Sequence, residues 1–367
     1  MNIRLQEHTI YINDVPYELD ATRAEQLTMT PLPAFCQAPA AINSDYVEHI
    51  DDMFTYFRER QMPLVMRQHA NGHRALFFVA KDAACGNACL QRDVLGSITN
   101  AAGAPFFDAT LEAQVIASVH DTLRALRYFD DADYVLFEAT IAPYSTQYDV
   151  AALLPFAENE IAARQAELQL APLHVKDVYT ERLRNAICFE ATLHNYHWSF
   201  NANTIQIAPL QLVATSGETF FDAPVTTHID FAKQLAAYAM FVAPPHIIIE
   251  TEQDEVAAKT LWTEWSELGH IGAIVEPIEP TSNCPAIIVR GREYLRLIYG
   301  IDYTAPHELR ERKEQQQCSL HEVALQRTLY EEWVQRFVRR DEAHAYALAS
   351  LALHVQLEEQ HELFSND

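Results

Sequence analysis

The sequence predicts an α+β fold of largely antiparallel sheets with flanking helices, followed by a C-terminal α-helical module. Three observations predict it. The candidate strands and helices do not alternate as β-α-β-α, which argues against a doubly wound parallel sheet. Short runs rich in Val, Ile and Phe recur between Ala75 and Val289, with helical patterns interspersed. Beyond about Pro306 the apolar residues fall at helical spacing.

The elements follow in chain order. Leu5 to Leu19 (LQEHTIYINDVPYEL) alternates around the turn pair Asn13-Asp14 and reads as a hairpin. Residues 28–43 are Pro-rich and extended. Ser44 then caps a helix with Val47, Ile50, Phe54 and Phe57 on one face, ending near Gln61 before Pro63. Strands are expected from Ala75, Tyr134, Ile205, His246, Gly272 and Ala286. Helices are expected at Leu111–Arg127, Pro155–Leu170, Thr180–His197, Asp230–Met240 and Asp254–Leu268. Near the end, Ser319 and Glu322 form a capping box. Leu325, Leu329, Trp333 and Phe337 follow on one helical face, and a second helix runs from Asp341 to about Gln360.

The chain has 367 residues, 49% of them hydrophobic and 21% charged, so it has ample core for one large domain or two. Its formal charge of −25 makes it a poor stand-alone nucleic-acid binder. Only five residues are lysines: Lys81, Lys176, Lys233, Lys259 and Lys313. The first twenty residues lack the apolar core of a signal peptide, and no apolar run approaches a membrane span. A reduced, cytoplasmic chain away from membranes is expected.

Familiar catalytic signatures are absent: there is no GxGxxG, GxxxxGK[ST], GxSxG or HExxH. Cys85 and Cys89 form a lone CxxxC, too little for a metal site, and no metal is expected. His194 and His197 share a helical face and read as helix histidines. Arg290, Arg292, Arg296 and Arg336 form either an anion site or, with acids such as Glu293, an internal ion-pair network.

One segment is specific. CPAIIVRGREYLRLIYGIDY, from Cys284 to Tyr303, resembles the end of the ligase module of the bacterial RNA-repair polynucleotide kinase-phosphatase-ligases (Pnkp), where a lysine precedes RGREYLRIIYG. Other segments resemble that family in order. NGHRALFFVAKD from Asn71 is similar to the stretch after the family's nucleotidyl-lysine (K-H-x-G-S-R-A). AAGAPFF from Ala101 is similar to T-G-R-x-F-F, and YVLFEATIAPYS from Tyr134 to the strand ending D-x-E-x-x-P-W-S. Tyr196 and Trp198 match a Y-x-W pair. QIAPLQLVATSG from Gln206 matches L-A-P-F-x-x-L-A-x-x-G, and GHIGAIVEP from Gly269 matches G-G-E-G-x-V-V-K-P. The resemblance covers roughly residues 28–360. It implies a covalent nucleotidyltransferase (RNA ligase-like) fold, two antiparallel sheets around a nucleotide slot. The implied division is an N-terminal hairpin extension (1–27), an adenylyltransferase-like domain (28–305) and a helical module (306–367).

Ligases of this class form a lysyl-AMP with ATP and a divalent metal, using further lysines and glutamates to stabilise phosphate charge and hold the metal. By the resemblance, His69 falls where the nucleophilic lysine belongs, with Gly72 and Arg74 retained beyond it. Thr140 replaces a glutamate, Leu210 the phenylalanine that packs on adenine, Ile271 a second glutamate, and Glu276 and Ile288 the two remaining lysines. Glu276 would place a carboxylate among the phosphates, and like charges ~4 Å apart repel by about 4 kcal/mol at an effective dielectric of about 20. Arg290, Arg292, Glu293, Tyr294, Arg296 and Tyr299 keep the family string.

Three readings stay open. The first is a catalytically degenerate ligase-like subunit, without cofactor, acting as scaffold or regulator beside RNA-repair proteins such as a kinase-phosphatase and a 3′-terminal RNA 2′-O-methyltransferase. The second is an RNA ligase using ATP and Mg2+ with His69 as nucleophile. The third is a weak RNA-end-binding module, with Arg74, Arg290, Arg292, Tyr294 and Arg296 lining a groove. For the string itself, the structural alternative is that Arg292 and its neighbours pin the C-terminal helices to the sheets.

Overall fold

The structure is a computed structural model that describes residues 1–6, 8–19, 21–29, 32–33, 48–58, 60, 62–70, 72–142, 150–196, 205–280, 286–305 and 320–362. Its strands form three sheets, and every pairing between strands is antiparallel.

The N-terminal sheet is a three-stranded meander, one strand more than the expected hairpin: β1 (Ile3–Gln6), β2 (Thr9–Ile12) and β3 (Val15–Glu18). Asn13 and Asp14, at φ 50° and 70°, make the tight turn between β2 and β3, as two left-handed residues can. Helix α1 (Ala21–Met29) follows.

Helix α2 spans Ile50–Arg58 and buries Ile50, Met53, Phe54 and Phe57. Residues 48 and 49 are not helical, so the helix does not reach back to Ser44, which lies outside the described residues together with Val47. Instead Asp51 and Asp52 stand in its first turn, where the helix dipole favours acids.

A four-stranded sheet has the order β11-β10-β4-β9 and a second has the order β6-β5-β7-β8. The first contains β4 (Leu64–His69), β9 (His246–Ile249), β10 (Gly272–Pro277) and β11 (Ile287–Arg290). The second contains β5 (His73–Ala80), β6 (Gly96–Asn100), β7 (Tyr134–Ala142) and β8 (Gln206–Thr215). The sequence reading lacks β4 and β6. Strand β6 (GSITN) is polar yet buried because Glu112 of a neighbouring helix accepts from Ser97 Oγ at 3.0 Å and from the Ile98 N–H at 2.7 Å.

Helices α3 (Ala83–Leu90), α4 (Ala109–Ala125), α5 (Val150–Leu170), α6 (Lys176–Tyr196), α7 (Val225–Leu235), α8 (Glu252–Glu267) and α9 (Arg292–Tyr299) intervene. Helix α7 starts five residues before the expected Asp230, directly after Pro224, a residue suited to a helix start. The chain ends in α10 (Leu320–Arg339) and α11 (His344–Glu362). Leu329 and Trp333 of α10 are buried, as their spacing requires, with Leu325 and Phe337 packed against the same cluster. The Ser319–Glu322 box falls outside the described side chains.

Packing places the sheets. One face of the β6-β5-β7-β8 sheet, with Phe77, Val79, Val135 and Phe137, is covered by Val115 and Val119 of α4 and Phe231 and Leu235 of α7. Its other face, with Leu76, Phe78 and Leu136, joins a core containing Ile10 and Ile12 of the N-terminal sheet and Trp333 and Leu351 of the last two helices. Residues from all three expected segments thus share this core. In the other sheet, Leu64, Met66, Ala273, Val275, Ile287 and Val289 pack on α2 and α8. Strand alternation turns Arg67, His69, Ile274, Glu276, Ile288 and Arg290 to the opposite face. None of the described helices is long and apolar enough to cross a membrane.

Candidate functional site

The chain crosses from one large sheet to the other between His69, the last residue of β4, and His73, the first of β5. Gly72 makes that crossing possible. Its φ is +119°, and a Cβ there would lie 2.2 Å from the carbonyl oxygen of Ile141 on β7. Only glycine fits both demands.

His69 is 8% exposed, and its Nδ1 donates to the Ala70 carbonyl at 3.1 Å. Burial first, then the field of Arg74, pushes its pKa down to about 4, with Arg290 and Arg67 adding to the effect against the Ala70 bond. The imidazole is therefore neutral at pH 7. Gly272, next to Ile271, is its cross-strand partner.

The three arginines that act on His69 are each matched by a glutamate. Arg67 binds Glu276 through Nη2, and its Nη1 donates to the Leu210 carbonyl at 2.6 Å. The register explains the first contact: Ile274 is opposite Arg67 and Glu276 opposite Val65, so the two charges are diagonal neighbours on one face. Glu276 is therefore the partner of Arg67. Arg74 binds Glu138 through Nη2, on the face that also carries Thr140. Arg290 binds Glu48, with Nε to Oε1 at 2.8 Å and its backbone N–H to Oε2 at 2.8 Å. Glu48 is 3% exposed, and its carboxylate raises the Arg290 guanidinium pKa against the opposing effect of burial.

The other candidate positions are closed in. Leu210, Ile271 and Ile288 are each 5% exposed, and Thr140 is 1% exposed with its Oγ1 lacking a hydrogen-bond partner. On α7, His228 is buried, and desolvation with the nearby Arg67 charge pushes its pKa to about 4.

Of the RGREYLR string, Arg290 ends β11, Gly291 caps, and the residues from Arg292 form helix α9. Arg296 is 2% exposed, donating from Nε to Glu293 at 2.9 Å and from Nη1 to the Ile301 carbonyl at 2.6 Å. Tyr299 accepts from Arg290 Nη2 at 3.2 Å, and Tyr294 packs with Leu297 against Phe189 and Leu193 of α6. Arg292 is half exposed and reaches Glu181 of α6 only at 3.8 Å. Arg74 and Arg290 both act on His69, whereas Arg296 is buried on Glu293 and Arg292 faces Glu181. Among the described residues, helix α9 packs mainly on α6 and α8. It holds the α5–α6 hairpin, together with Arg164 of α5, which makes a bidentate pair with Asp302 at 2.9 and 2.8 Å. Burial alone would raise the Asp302 carboxyl pKa, but the bonds from Arg164 and Asn185 hold it below the usual range.

Of the remaining expectations, Tyr196 ends α6 and its side chain, with Trp198 and His197, lies outside the described residues. His194 pairs with Glu190 of its own helix at 3.0 Å. Cys85 donates to the Asp133 carbonyl at 3.2 Å, and burial raises the pKa of both α3 thiols. Among the described residues no group of three or more metal-binding side chains comes together. Glu48, Arg67, Glu138 and His228 escape the sequence reading. For Arg67 the signal was the polar residue inside the apolar run LVMRQH. For Glu48, 242 residues from Arg290, there was none.

The model of the family described as "PNKP adenylyltransferase domain, ligase domain" matches residues 21–356. Two solved structures share the fold. One, titled "Structure of Pnkp1/Rnl/Hen1 complex", has a TM-score of 0.60 at 13% identity and covers 92% of this chain and 95% of its own. The other, titled "Structure of the Pnkp1/Rnl/Hen1 RNA repair complex", has a TM-score of 0.56 at 14% identity and covers 94% and 98%. Among curated proteins, none matches the sequence.

Proposed function

The chain belongs to the PNKP adenylyltransferase (ligase) domain family, and from that premise we propose that it is a catalytically degenerate ligase-like subunit that scaffolds or regulates an RNA-repair assembly. The observation that carries this reading is the set of three arginine–glutamate pairs, Arg67–Glu276, Arg74–Glu138 and Arg290–Glu48, around a neutral histidine at the nucleophile position. Each cation that could meet a phosphate already holds an internal carboxylate. Each carboxylate that could hold a metal is tied to a guanidinium.

These residues do not fit magnesium-ATP. Thr140, Ile271 and Ile288 offer no carboxylate or ammonium, and breaking a buried ion pair to admit a triphosphate leaves an uncompensated charge. No catalytic step is therefore assigned. The titles of the two similar structures name Pnkp1, Rnl and Hen1 together. Proteins of those kinds, a kinase-phosphatase and a 3′-terminal RNA 2′-O-methyltransferase, are the partners to try first. A docking surface is at hand on the α5–α6 hairpin, whose tip leaves Leu170 and Leu173 85% and 88% exposed. RNA contact is secondary, given the charge of −25.

The test is covalent labelling with α-labelled ATP, and separately GTP, in magnesium and then manganese, read on the denatured chain beside an active family member. No label is expected. A second reading rests on the neutral His69, which is the nucleophilic form of imidazole. A label that His69→Ala abolishes would establish that enzyme and sink the degenerate reading. Co-purification with the kinase-phosphatase or methyltransferase tests the scaffold role, and a chain that binds neither would refute it.

A further inference from the structure

Helix α3 (AACGNACL) carries Cys85 and Cys89 one helical turn apart on the same side. Both thiols are half-buried and pack against the core shared by the N-terminal sheet and the last two helices. Gly86 lets the helix lie this close, since a Cβ there would stand 1.8 Å from the Val94 carbonyl oxygen. The Cys89 S–H donates to the Cys85 sulfur, and the Cys85 S–H donates to the Asp133 carbonyl at 3.2 Å.

The next residue, Tyr134, is 3% exposed at the start of β7 and belongs to the same core. Its hydroxyl is buried without a hydrogen-bond partner. Burial first, then the field of Cys89, raises the phenol pKa, and Cys85 adds to it, so the ring stands beside the pair. A buried donor without an acceptor is costly, and a thiolate sulfur would supply the acceptor. The charged groups around the pair are Asp82, which caps α3, Asp133 and, just past α10, Arg340. Burial, ahead of any neighbouring charge, pushes the Cys89 thiol up to about 11 and the Cys85 thiol above its ordinary value. Both are protonated at neutral pH, which slows their oxidation.

Spacing decides what the pair can hold. Cβ atoms four residues apart on a helix lie about 5–6 Å from each other, whereas a disulfide needs about 3.5–4.5 Å. A direct S–S bond would have to unwind α3. A metal ion between the sulfurs closes the same gap with the helix intact. Zinc takes four ligands, and among the described residues no third cysteine, histidine or carboxylate completes a metal-binding group with the pair. The Asp82 carboxylate already accepts from the Cys85 N–H at 2.8 Å. A soft monovalent cation needs only the two thiolates.

We propose that Cys85 and Cys89 bind one soft monovalent cation of the copper(I) class between their sulfurs, with the Tyr134 hydroxyl donating to one of them. Each S–H gives its proton to solvent as its sulfur binds, so two protons leave and the site carries one negative charge beside Arg340. No electron is transferred. The Asp133 carbonyl loses the Cys85 donor but keeps the Lys81 N–H at 2.7 Å. The site uses none of the arginine–glutamate pairs, so it stands or falls independently of the proposed loss of catalysis.

The experiment is an anaerobic titration of the full, reduced chain with copper(I) against a chromogenic copper(I) chelator, followed by alkylation and peptide mass spectrometry. The wild type is expected to take up one tight equivalent that shields Cys85 and Cys89 from iodoacetamide and leaves Cys188 as reactive as before. The Cys85→Ser, Cys89→Ser variant should lose that equivalent, whereas Cys188→Ser should keep it. Apparent affinity should rise by about a hundredfold per pH unit, since two protons leave. Tyr134→Phe should weaken binding about tenfold, with the melting temperature of the metal-free chain unchanged or higher, because its hydroxyl has no partner to lose there. Equal uptake by the wild type and the double serine variant overturns the proposal, as does alkylation of Cys85 and Cys89 that copper(I) leaves unaffected. Undiminished affinity in Tyr134→Phe overturns the role given to that hydroxyl. A Cys85–Cys89 disulfide that forms readily in air, in a chain that refuses copper(I), assigns the pair to redox chemistry and equally overturns the proposal.

Discussion

Glu48 holds Arg290 from 242 residues away: one carboxylate oxygen accepts from the guanidinium Nε at 2.8 Å and the other from the Arg290 backbone N–H at 2.8 Å. A side chain just ahead of α2 thereby fixes the end of β11, immediately before the glycine that starts α9. Removing one partner of such a buried pair costs about 3–5 kcal/mol, because the other charge stays behind unpaired. Glu48→Gln is expected to lower the melting temperature strongly. The double variant Glu48→Gln, Arg290→Met should be more stable than Glu48→Gln alone, and a double-mutant cycle by urea denaturation reads the coupling.

Arg292 and Arg296 are four residues apart on α9 and should behave oppositely. Arg296 is buried with a carboxylate and a carbonyl as partners, whereas Arg292 is half exposed. Arg296→Ala is expected to cost about 3–5 kcal/mol by leaving buried partners unsatisfied. Arg292→Ala should change stability by less than about 1 kcal/mol, as exposed pairs do. Thermal denaturation of the two variants compares them directly. This reverses the role that the sequence alone assigned to Arg292.

Gly72→Ala tests the crossing between the sheets. The new Cβ would meet the Ile141 carbonyl oxygen at 2.2 Å in a backbone conformation that suits glycine alone. Loss of soluble, folded protein is expected. Gly217, which has nothing within 4 Å of its would-be Cβ, supplies the control: Gly217→Ala should express and melt like the parent.

Two buried histidines give the pH dependence. Burial pushes His69 and His228 from the ordinary 6.5 to about 4. Between those values the unfolded chain binds protons that the folded chain does not, so stability rises with pH across the window. The penalty is absent above about 6.5 and full below about 4. Melting temperature should therefore fall as pH drops from 6.5 toward 4. A His69→Gln, His228→Gln variant should show a flatter profile, and an equally steep one would mean that other groups carry the effect.

How much was legible follows from which interactions are local. Strands β7 and β10 coincide with the runs YVLFEATIA and GAIVEP, because buried strands read as unbroken apolar stretches. Strand β6 was not legible, since the Ser97 hydroxyl and the Ile98 N–H are met by Glu112 of a helix that follows it. Helix α9 was seen as a string but not as a helix.

The sequence by itself determined the family and the antiparallel α+β architecture. Those are properties of residue type and order. Only the tertiary structure decided which buried charges pair. Pairing of Arg67 with Glu276 depends on the β4–β10 register, Arg74 with Glu138 on the β5–β7 register, and Arg290 with Glu48 on how α2 is packed. A buried charge is tolerable only beside its opposite. Which carboxylate supplies that neighbour is a fact of three-dimensional adjacency that no local pattern encodes.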